Sequence, residues 1–351
     1  MRNPGVIKNN MDFNNIGIDW KKVNNVILKA DKIMLTTHEN PDGDGLGSEC
    51  GIYYHLKEMG KDVKILNYSD LPAQYQFLNT DNIFETFDLN EHKNWMIDLD
   101  LLIVFDVGDF SRTRTVADFV LKNKIKVLNI DHHPHPESHN FSYNCVDLKA
   151  AATGCMVYDY LKINRVSPIN KKSLEGIYTA VMTDTGSFRY SNTTGKCHKI
   201  AIECLENNIE THRIFQSIYE NNPKSRVELM GKFLSNIQYE LDEKLAWFVI
   251  TQDMLIKANA THSDVEGFSD LVRSIKGVEV SIMIFEQENS TCRINFRSKG
   301  SIVINDIAKE LGGGGHPFAA GAKVEGNLRE VKDLVITTSK KFLKNKLKSI
   351  K

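Results

Sequence analysis

One pentapeptide constrains this chain most. Leu101–Phe105 reads LLIVF, an unbroken apolar run followed at once by Asp106. A strand wet on one face would alternate; a continuous run suits a strand covered on both faces. A carboxylate at its very end is costly to desolvate unless something cationic meets it. Two other stretches repeat the pattern. Lys32–Thr37 carries the apolar run Ile33–Leu35 into His38, Asp42 and Asp44, and Lys126–Ile130 leads into Asp131, His132 and His133. In open α/β sheets the carboxyl ends of the strands are where ligands bind. These three groups, far apart in sequence, are therefore expected to converge.

Helical periodicity separates the strands. Apolar residues at helical spacing predict helices over Trp20–Ala30, from near Leu46 through Met59, and over Phe119–Ile125, Thr153–Ile163, Lys172–Met182 and Lys196–Asn207. Val63–Leu66 reads as a further short strand. The fold class is α/β, with a mostly parallel sheet flanked by helices in the first domain, residues 1–220. Residues 221–232 read as a linker around NNPKSR. Residues 233–351 read as a smaller α/β domain, with strands at Phe233–Leu241, Leu245–Thr251, Val278–Glu286 and Thr291–Arg297. Helices are expected at Met254–Ala258, Asp270–Ile275 and Val303–Leu311. An amphipathic helix with a solvated basic face is expected from Asn327 to Lys351. The Asn-rich first residues are expected to fray.

Composition sets outer limits. A length of 351 residues suits two domains, and 41% hydrophobic with 25% charged residues is ordinary for a globular protein. The net charge of −1 rules out a whole-chain basic footprint, so any contact with nucleic acid must be local or metal-assisted. The six cysteines form no CxxC pair and read as buried free thiols. The opening lacks an apolar signal-like core and no run reaches membrane length, so the expected location is the cytoplasm, without membrane contact.

The chemistry lies in the polar strand ends. Asn40, Asp42, Asp44 and Gly45 match the first half of an EF-hand, but Pro41 sits inside the loop, and the twelfth position counted from Asn40 is Gly51 rather than a bidentate glutamate. A fourth polar group, Asp184, ends an apolar helical run. Together His38, Asp42, Asp44, Asp106, His132 and Asp184 supply four carboxylates and two imidazoles. That is too many oxygens for one tetrahedral zinc. It suits two octahedral divalent cations, manganese first and magnesium or cobalt next. Such a pair activates water and clamps both the attacking and leaving oxygens of a phosphoryl group, which points to phosphoester hydrolysis. Downstream, Gly312–Gly315 and His316 lack the Lys-Ser/Thr of a Walker loop. Four successive glycines permit close backbone approach to a ligand, and Arg297 and His316 suit a phosphate.

At this point the residues resemble the DHH phosphoesterase superfamily. The motifs are His38–Asp44, Asp106, Asp131-His132-His133 and Asp184-Thr185-Gly186, with GGGGHPFAAG and Phe296-Arg297-Ser298 similar to the associated C-terminal domain. They are most similar to the nanoRNase/pAp phosphatase branch. The resemblance implies one metal on His38, Asp42 and Asp106, a second on Asp44, Asp106, His132 and Asp184, and Asp106 as their bridge. It implies that His133 faces the scissile phosphate and that Asp131 orients an imidazole. It implies a phosphate-binding arginine soon after Asp106, with Arg112 favoured by spacing over Arg114. Arg297, Ser298, Gly313, Gly314, Gly315 and His316 would hold the substrate's base or terminal phosphate across an interdomain cleft. The implied substrates are short single-stranded RNAs of a few nucleotides and 3′-phosphoadenosine 5′-phosphate (pAp). A phosphodiesterase for pApA is the alternative within the enzyme class. A nucleotide sensor without turnover is the alternative outside it, though such a sensor is expected to lack ligands that are all present here. Monomer and homodimer both remain open.

Overall fold

The structure, a computed structural model, describes residues 11–12, 17–136, 139–164 and 168–348. The Asn-rich opening expected to fray lies mostly outside the described residues. The chain divides into two compact units, Met1–Asn221 and Asn222–Lys351.

The first unit is built on β1 (Met11–Asp12), β2 (Lys32–Thr36), β3 (Asp62–Asn67), β4 (Phe84–Thr86), β5 (Leu101–Phe105), β6 (Lys126–Asp131) and β7 (Tyr143–Val146). Their order is β1-β7-β6-β5-β2-β3-β4. Every neighbouring pair is parallel. The unbroken LLIVF run has a direct explanation. Leu101, Ile103 and Phe105 join one apolar cluster, while Leu102 and Val104 join another on the opposite face. Strand order turns around at β2: the chain goes outward to β3 and β4, then resumes at β5 on the other side of β2. The switch point thus lies at the carboxyl ends of β2 and β5, where His38 and Asp106 follow.

Three helices frame that edge: Gly43–Glu58, Thr153–Asn164 and Lys171–Asp184. The first begins beside Asp44 and the last ends on Asp184. Two of them touch backbone to backbone. A Cβ on Gly47 would stand 2.3 Å from the Gly176 carbonyl oxygen, and one on Gly176 would stand 2.6 Å from that of Gly47. Any larger residue would push these helices apart, and with them Asp44 from Asp184.

The second unit contains β8 (Gln238–Glu240), β9 (Leu245–Ile250), β10 (Val280–Gln287), β11 (Thr291–Ser298), β12 (Gly314–His316) and β13 (Ala319–Glu325). They form a mixed sheet in the order β12-β13-β11-β10-β9-β8, parallel only between β9 and β10. The helix Leu328–Lys348 closes the described chain, with Val331, Val335 and Leu343 buried along one face. The expected amphipathic helix is present. Among the described residues no helix is long and apolar enough to cross a membrane. All six cysteines are free and buried.

Two expectations need correction here. The stretch 221–232, read as a linker, and the start of the expected strand Phe233–Leu241 form one helix, Lys224–Leu234. Leu229 and Phe233, four apart, are fully buried on one face, and Phe233 packs 4.5 Å from both Phe248 and Phe268. The spacing that matters there is 3.6, not 2. Only Gln238–Glu240 remains as strand. The glycine run is likewise not an open loop. Gly314–His316 pairs antiparallel with β13 as an edge strand. A Cβ on Gly313 would stand 2.1 Å from the Gly321 carbonyl oxygen, and one on Gly315 2.7 Å from that of Ala319. Gly312 closes the preceding helix, its N–H on the Lys309 carbonyl. Gly312 and Gly314 both have open space where a side chain would stand, but Gly312 sits at φ 78°, so within the strand Gly314 is the glycine left open.

Candidate functional site

The end of β2 is pinned from two sides. Thr37 Oγ1 donates to the Phe105 carbonyl at 2.8 Å, and its N–H donates to Asn67 Oδ1 at 2.9 Å. His38 follows, buried, with Nδ1 2.7 Å from the Glu39 carbonyl. A carbonyl only accepts, so Nδ1 carries a proton and Nε2 is the atom turned to the site. Nε2 lies 3.7 Å from Asp42 Oδ2 and 3.7 Å from Asp106 Oδ2. Asp42 divides its carboxylate: Oδ1 accepts the Asp44 and Gly45 N–H groups and caps the helix, leaving Oδ2 for the site.

Asp106 sits at φ 57°, a left-handed conformation that a non-glycine residue adopts at a cost of about 1–3 kcal/mol. Its two oxygens face different imidazoles. Oδ2 faces His38, whereas Oδ1 lies 3.4 Å from His132 Nε2 and 3.2 Å from His133 Nδ1. His132 repeats the arrangement of His38. Its Nδ1 is 3.2 Å from the Ala150 carbonyl, and its Nε2 points at Asp106, at Asp44 Oδ2 (3.6 Å) and at Asp184 Oδ2 (3.8 Å). That Nε2 is buried without a hydrogen-bond partner. A partnerless imidazole nitrogen among carboxylates from three elements is what a divalent cation satisfies, so the residues fit a metal. The ligand atoms fall into close groups: His38, Asp42 and Asp106; Asp44, His132 and Asp184; and Asp106, His132 and His133. All six residues expected as ligands meet here.

Supporting contacts hold these groups in place. Asp44 accepts the N–H groups of Thr153 (2.7 Å) and Gly154 (2.9 Å), one on each oxygen. Asp131 Oδ2 accepts the N–H groups of Val107 and Gly108, and Oδ1 accepts that of His133 and lies 2.9 Å from His133 Nδ1. The imidazole that Asp131 orients is therefore His133. Electrostatics follow from crowding. Burial, reinforced by Asp106 and Asp184, holds Asp44 well above the usual carboxylate range. Burial raises Asp184 to about 6, with His132 opposing. Burial opposes ionisation of Asp106 too, but His132, His133 and His38 outweigh it and hold this carboxyl well below that range. Burial pulls the imidazoles down, yet Asp106 and its neighbours lift His38 and His132 to about 10 and His133 to about 9.

With this geometry in view, the comparisons with known proteins are specific. The model of the DHH family, N-terminal domain, matches residues 32–182, and that of the DHHA1 domain matches residues 244–345. A Bacillus subtilis protein named bifunctional oligoribonuclease and PAP phosphatase NrnA is 30% identical over 296 residues, 84% of this chain and 90% of that protein. The chain belongs to the DHH family of phosphoesterases. Proteins of the same name from Thermus thermophilus and Mycoplasma genitalium are 30% and 28% identical, over 88% and 92% of this chain and 90% and 97% of theirs. Among solved structures, an exopolyphosphatase-related protein from Bacteroides fragilis superposes with a TM-score of 0.84 at 27% identity, covering 92% of this chain and 96% of that one. DHH phosphoesterases depend on metal, in keeping with the cluster around Asp106.

The remaining expected residues of this DHH protein separate clearly. Arg114 is held by Glu39 in a two-pronged ion pair at 2.5 and 2.6 Å. Arg112 Nη1 donates to the Val107 carbonyl, and its charge is felt at His38. In the second unit, Arg297 pairs with Asp270 at 3.3 Å. Ser298 is buried, its hydroxyl accepting the Gly300 N–H at the strand end. His316 pairs with Ala319 through the backbone. Sequence reading missed the backbone donors of Thr153 and Gly154, since an N–H group has no sequence signature. It also missed Asn192, whose amide donates to the Asp184 and Ala151 carbonyls at 3.0 Å, and Asn67, which links Thr37 to buried Glu49.

Proposed function

We propose that this chain hydrolyses short oligoribonucleotides to mononucleotides and removes a phosphate from pAp, using two divalent cations, manganese foremost. The observation that carries the metal-pair reading is the divided carboxylate of Asp106, one oxygen toward His38 and the other toward His132. The substrate reading draws its support from the relatives, each named as an oligoribonuclease and PAP phosphatase. His38, Asp42 and Asp106 would hold one cation; Asp44, Asp106, His132 and Asp184 would hold the other. When bound, such a pair neutralises phosphoryl charge and activates water.

The chain's own groups do the rest. His133 is held by Asp131 through Nδ1 and is the most exposed of the three imidazoles in the cluster. A protonated His133 stabilises charge on the phosphate or gives its proton to the leaving oxygen. Arg112, not tied down by Glu39 as Arg114 is, is the arginine assigned to the phosphate. Arg297, the open backbone at Gly314 and His316 are assigned to the base or terminal phosphate of the substrate.

The test is a substrate panel with Mn²⁺: a labelled diribonucleotide, longer RNAs, pAp and pApA, compared by kcat/KM. Release of mononucleotide from the dinucleotide and of phosphate from pAp, both lost in Asp106→Asn, is the expected result. Failure to cleave either substrate overturns the proposal, and a dominant rate on pApA redirects it.

A further inference from the structure

Asp184 ends its helix, and the chain then makes a turn with an unusual backbone. Gly186, Ser187 and Phe188 all adopt left-handed conformations, with φ of 55°, 59° and 64°. Three such residues in succession are rare, two of them non-glycine. The turn brings Tyr190 back over Gly186. The Tyr190 N–H donates to the Thr185 carbonyl at 3.0 Å, and Arg189 Nε donates to the Gly186 carbonyl at 2.8 Å. The chain then returns to the metal ligand itself, since the Asn192 amide holds the Asp184 carbonyl at 3.0 Å and lies 3.4 Å from its carboxylate. Tyr190 is thus fastened between two anchors on the Asp184 turn.

The ring's orientation can be read from Gly186. A Cβ there would stand 2.4 Å from Tyr190 Cζ and 2.5 Å from both Cε atoms. Near-equal distances to three ring carbons, with the hydroxyl oxygen farther away, place the glycine under the ring's face rather than its edge. Gly186 is buried by this cover, yet Tyr190 remains 51% exposed. One face lies on the backbone and the other is left to solvent. Covering a glycine requires only an apolar side chain. A flat aromatic side chain half open to water, six residues after Asp184, suits something flat that docks there.

We propose that Tyr190 is a stacking platform for a nucleobase beside the Asp184 side of the metal-ligand cluster, an inference that rests on the nucleotide reading above. Every base has a π-face, so this contact accepts any base and discriminates nucleotides from base-free phosphate esters. Base–aromatic stacking changes affinity by roughly tenfold or more.

The test is binding rather than turnover. Calorimetry on the full chain with Mn²⁺ compares AMP with ribose 5-phosphate, in wild type, Tyr190→Phe and Tyr190→Leu. Leucine still covers Gly186 but cannot stack, and Tyr190→Met serves the same purpose should the leucine variant misfold. The expected result is AMP bound about tenfold tighter than ribose 5-phosphate by wild type and Tyr190→Phe. In Tyr190→Leu the preference collapses with ribose 5-phosphate affinity unchanged. A wild type with no preference for AMP, a preference that survives in Tyr190→Leu, or an equal loss for both ligands overturns the inference. Because binding needs no turnover, a chain that stacks AMP on Tyr190 yet cleaves no phosphoester defeats the proposed activity and leaves this assignment standing.

Discussion

The two units place their functional groups in opposite environments. In the first, Asp44 and Asp106 are 2% and 3% exposed, the one held by backbone N–H groups and the other by imidazoles. In the second, Arg297 and Asp270 meet at the sheet surface with 28% and 40% of their side chains exposed. A buried carboxylate cluster is tolerable only with compensating positive charge, whereas an exposed ion pair is worth little and exchanges partners readily. On the proposed reading, the first unit would hold its cations among fixed groups, and Arg297 of the second would exchange Asp270 for a substrate anion.

The largest expected effect tests the buried side of this contrast. Asp106→Asn removes one charge from both metal groups. It is expected to lower kcat by more than about 100-fold, beyond the loss typical of a residue outside the ligand set, and to abolish the Mn²⁺-dependent rise in Tm. Retained activity would mean that the cluster is decoration.

Next comes pH. Burial lowers His38 and His132, but Asp106 and neighbouring carboxylates lift both to about 10, above the ordinary 6.5. The stability they lend the metal-free protein is complete below pH 6.5 and is lost as pH climbs toward 10. Metal must displace those same protons. Its affinity should therefore rise by about tenfold per pH unit for each proton released over that range. Titrating Mn²⁺ binding between pH 6.5 and 9 by calorimetry, alongside Tm without metal, should show the two trends running in opposite directions. Parallel trends would remove the imidazoles from the site.

Asp131→Asn is expected to cost about 10–100-fold in kcat. An amide cannot accept both from the Val107 and Gly108 N–H groups and from His133. An unchanged rate would detach His133 from the chemistry. On the exposed side, Arg297→Ala should raise KM by roughly tenfold, the size of one charge-assisted hydrogen bond, with kcat kept. A fall in kcat instead would erase the contrast between the units. Smallest is Arg114→Ala. Its pair with Glu39 is half exposed on the arginine side and screened by solvent, so the urea midpoint of unfolding and the activity should both stay close to wild type.

Much of this was legible beforehand, for identifiable reasons. LLIVF and its terminal Asp106 announce a strand buried on both faces, and each face has its own core. His38, Asp42, Asp106 and His132 meet because strand ends in a parallel sheet share one edge, and Asp44 and Asp184 join them because their two helices pack closely at Gly47 and Gly176. Legibility failed where long-range pairing decides. Nothing local in Lys224–Leu234 outweighs the connector-like NNPKSR until Phe233 is seen packed between Phe248 and Phe268. The glycine run reads as a loop until β13 is seen beside it, which accounts for Gly313 and Gly315; Gly312 is required by its positive φ, and Gly314 is left open. Spacing alone favours Arg112 over Arg114 in the sequence; the structure adds that Glu39 holds Arg114 while Arg112 bonds the Val107 carbonyl.

By itself the order of residues determined which chemistry this chain carries, because ligand type and strand-end position follow from local pattern. It also determined that there are two α/β regions. Only the tertiary structure decided how the ligands are shared: which oxygen of Asp106 faces which imidazole, that Asp131 serves His133, and that backbone N–H groups hold Asp44. It alone laid Tyr190 across Gly186. Each of these depends on distances between segments remote in the chain, and on the direction of lone pairs and ring faces, which no one-dimensional pattern encodes.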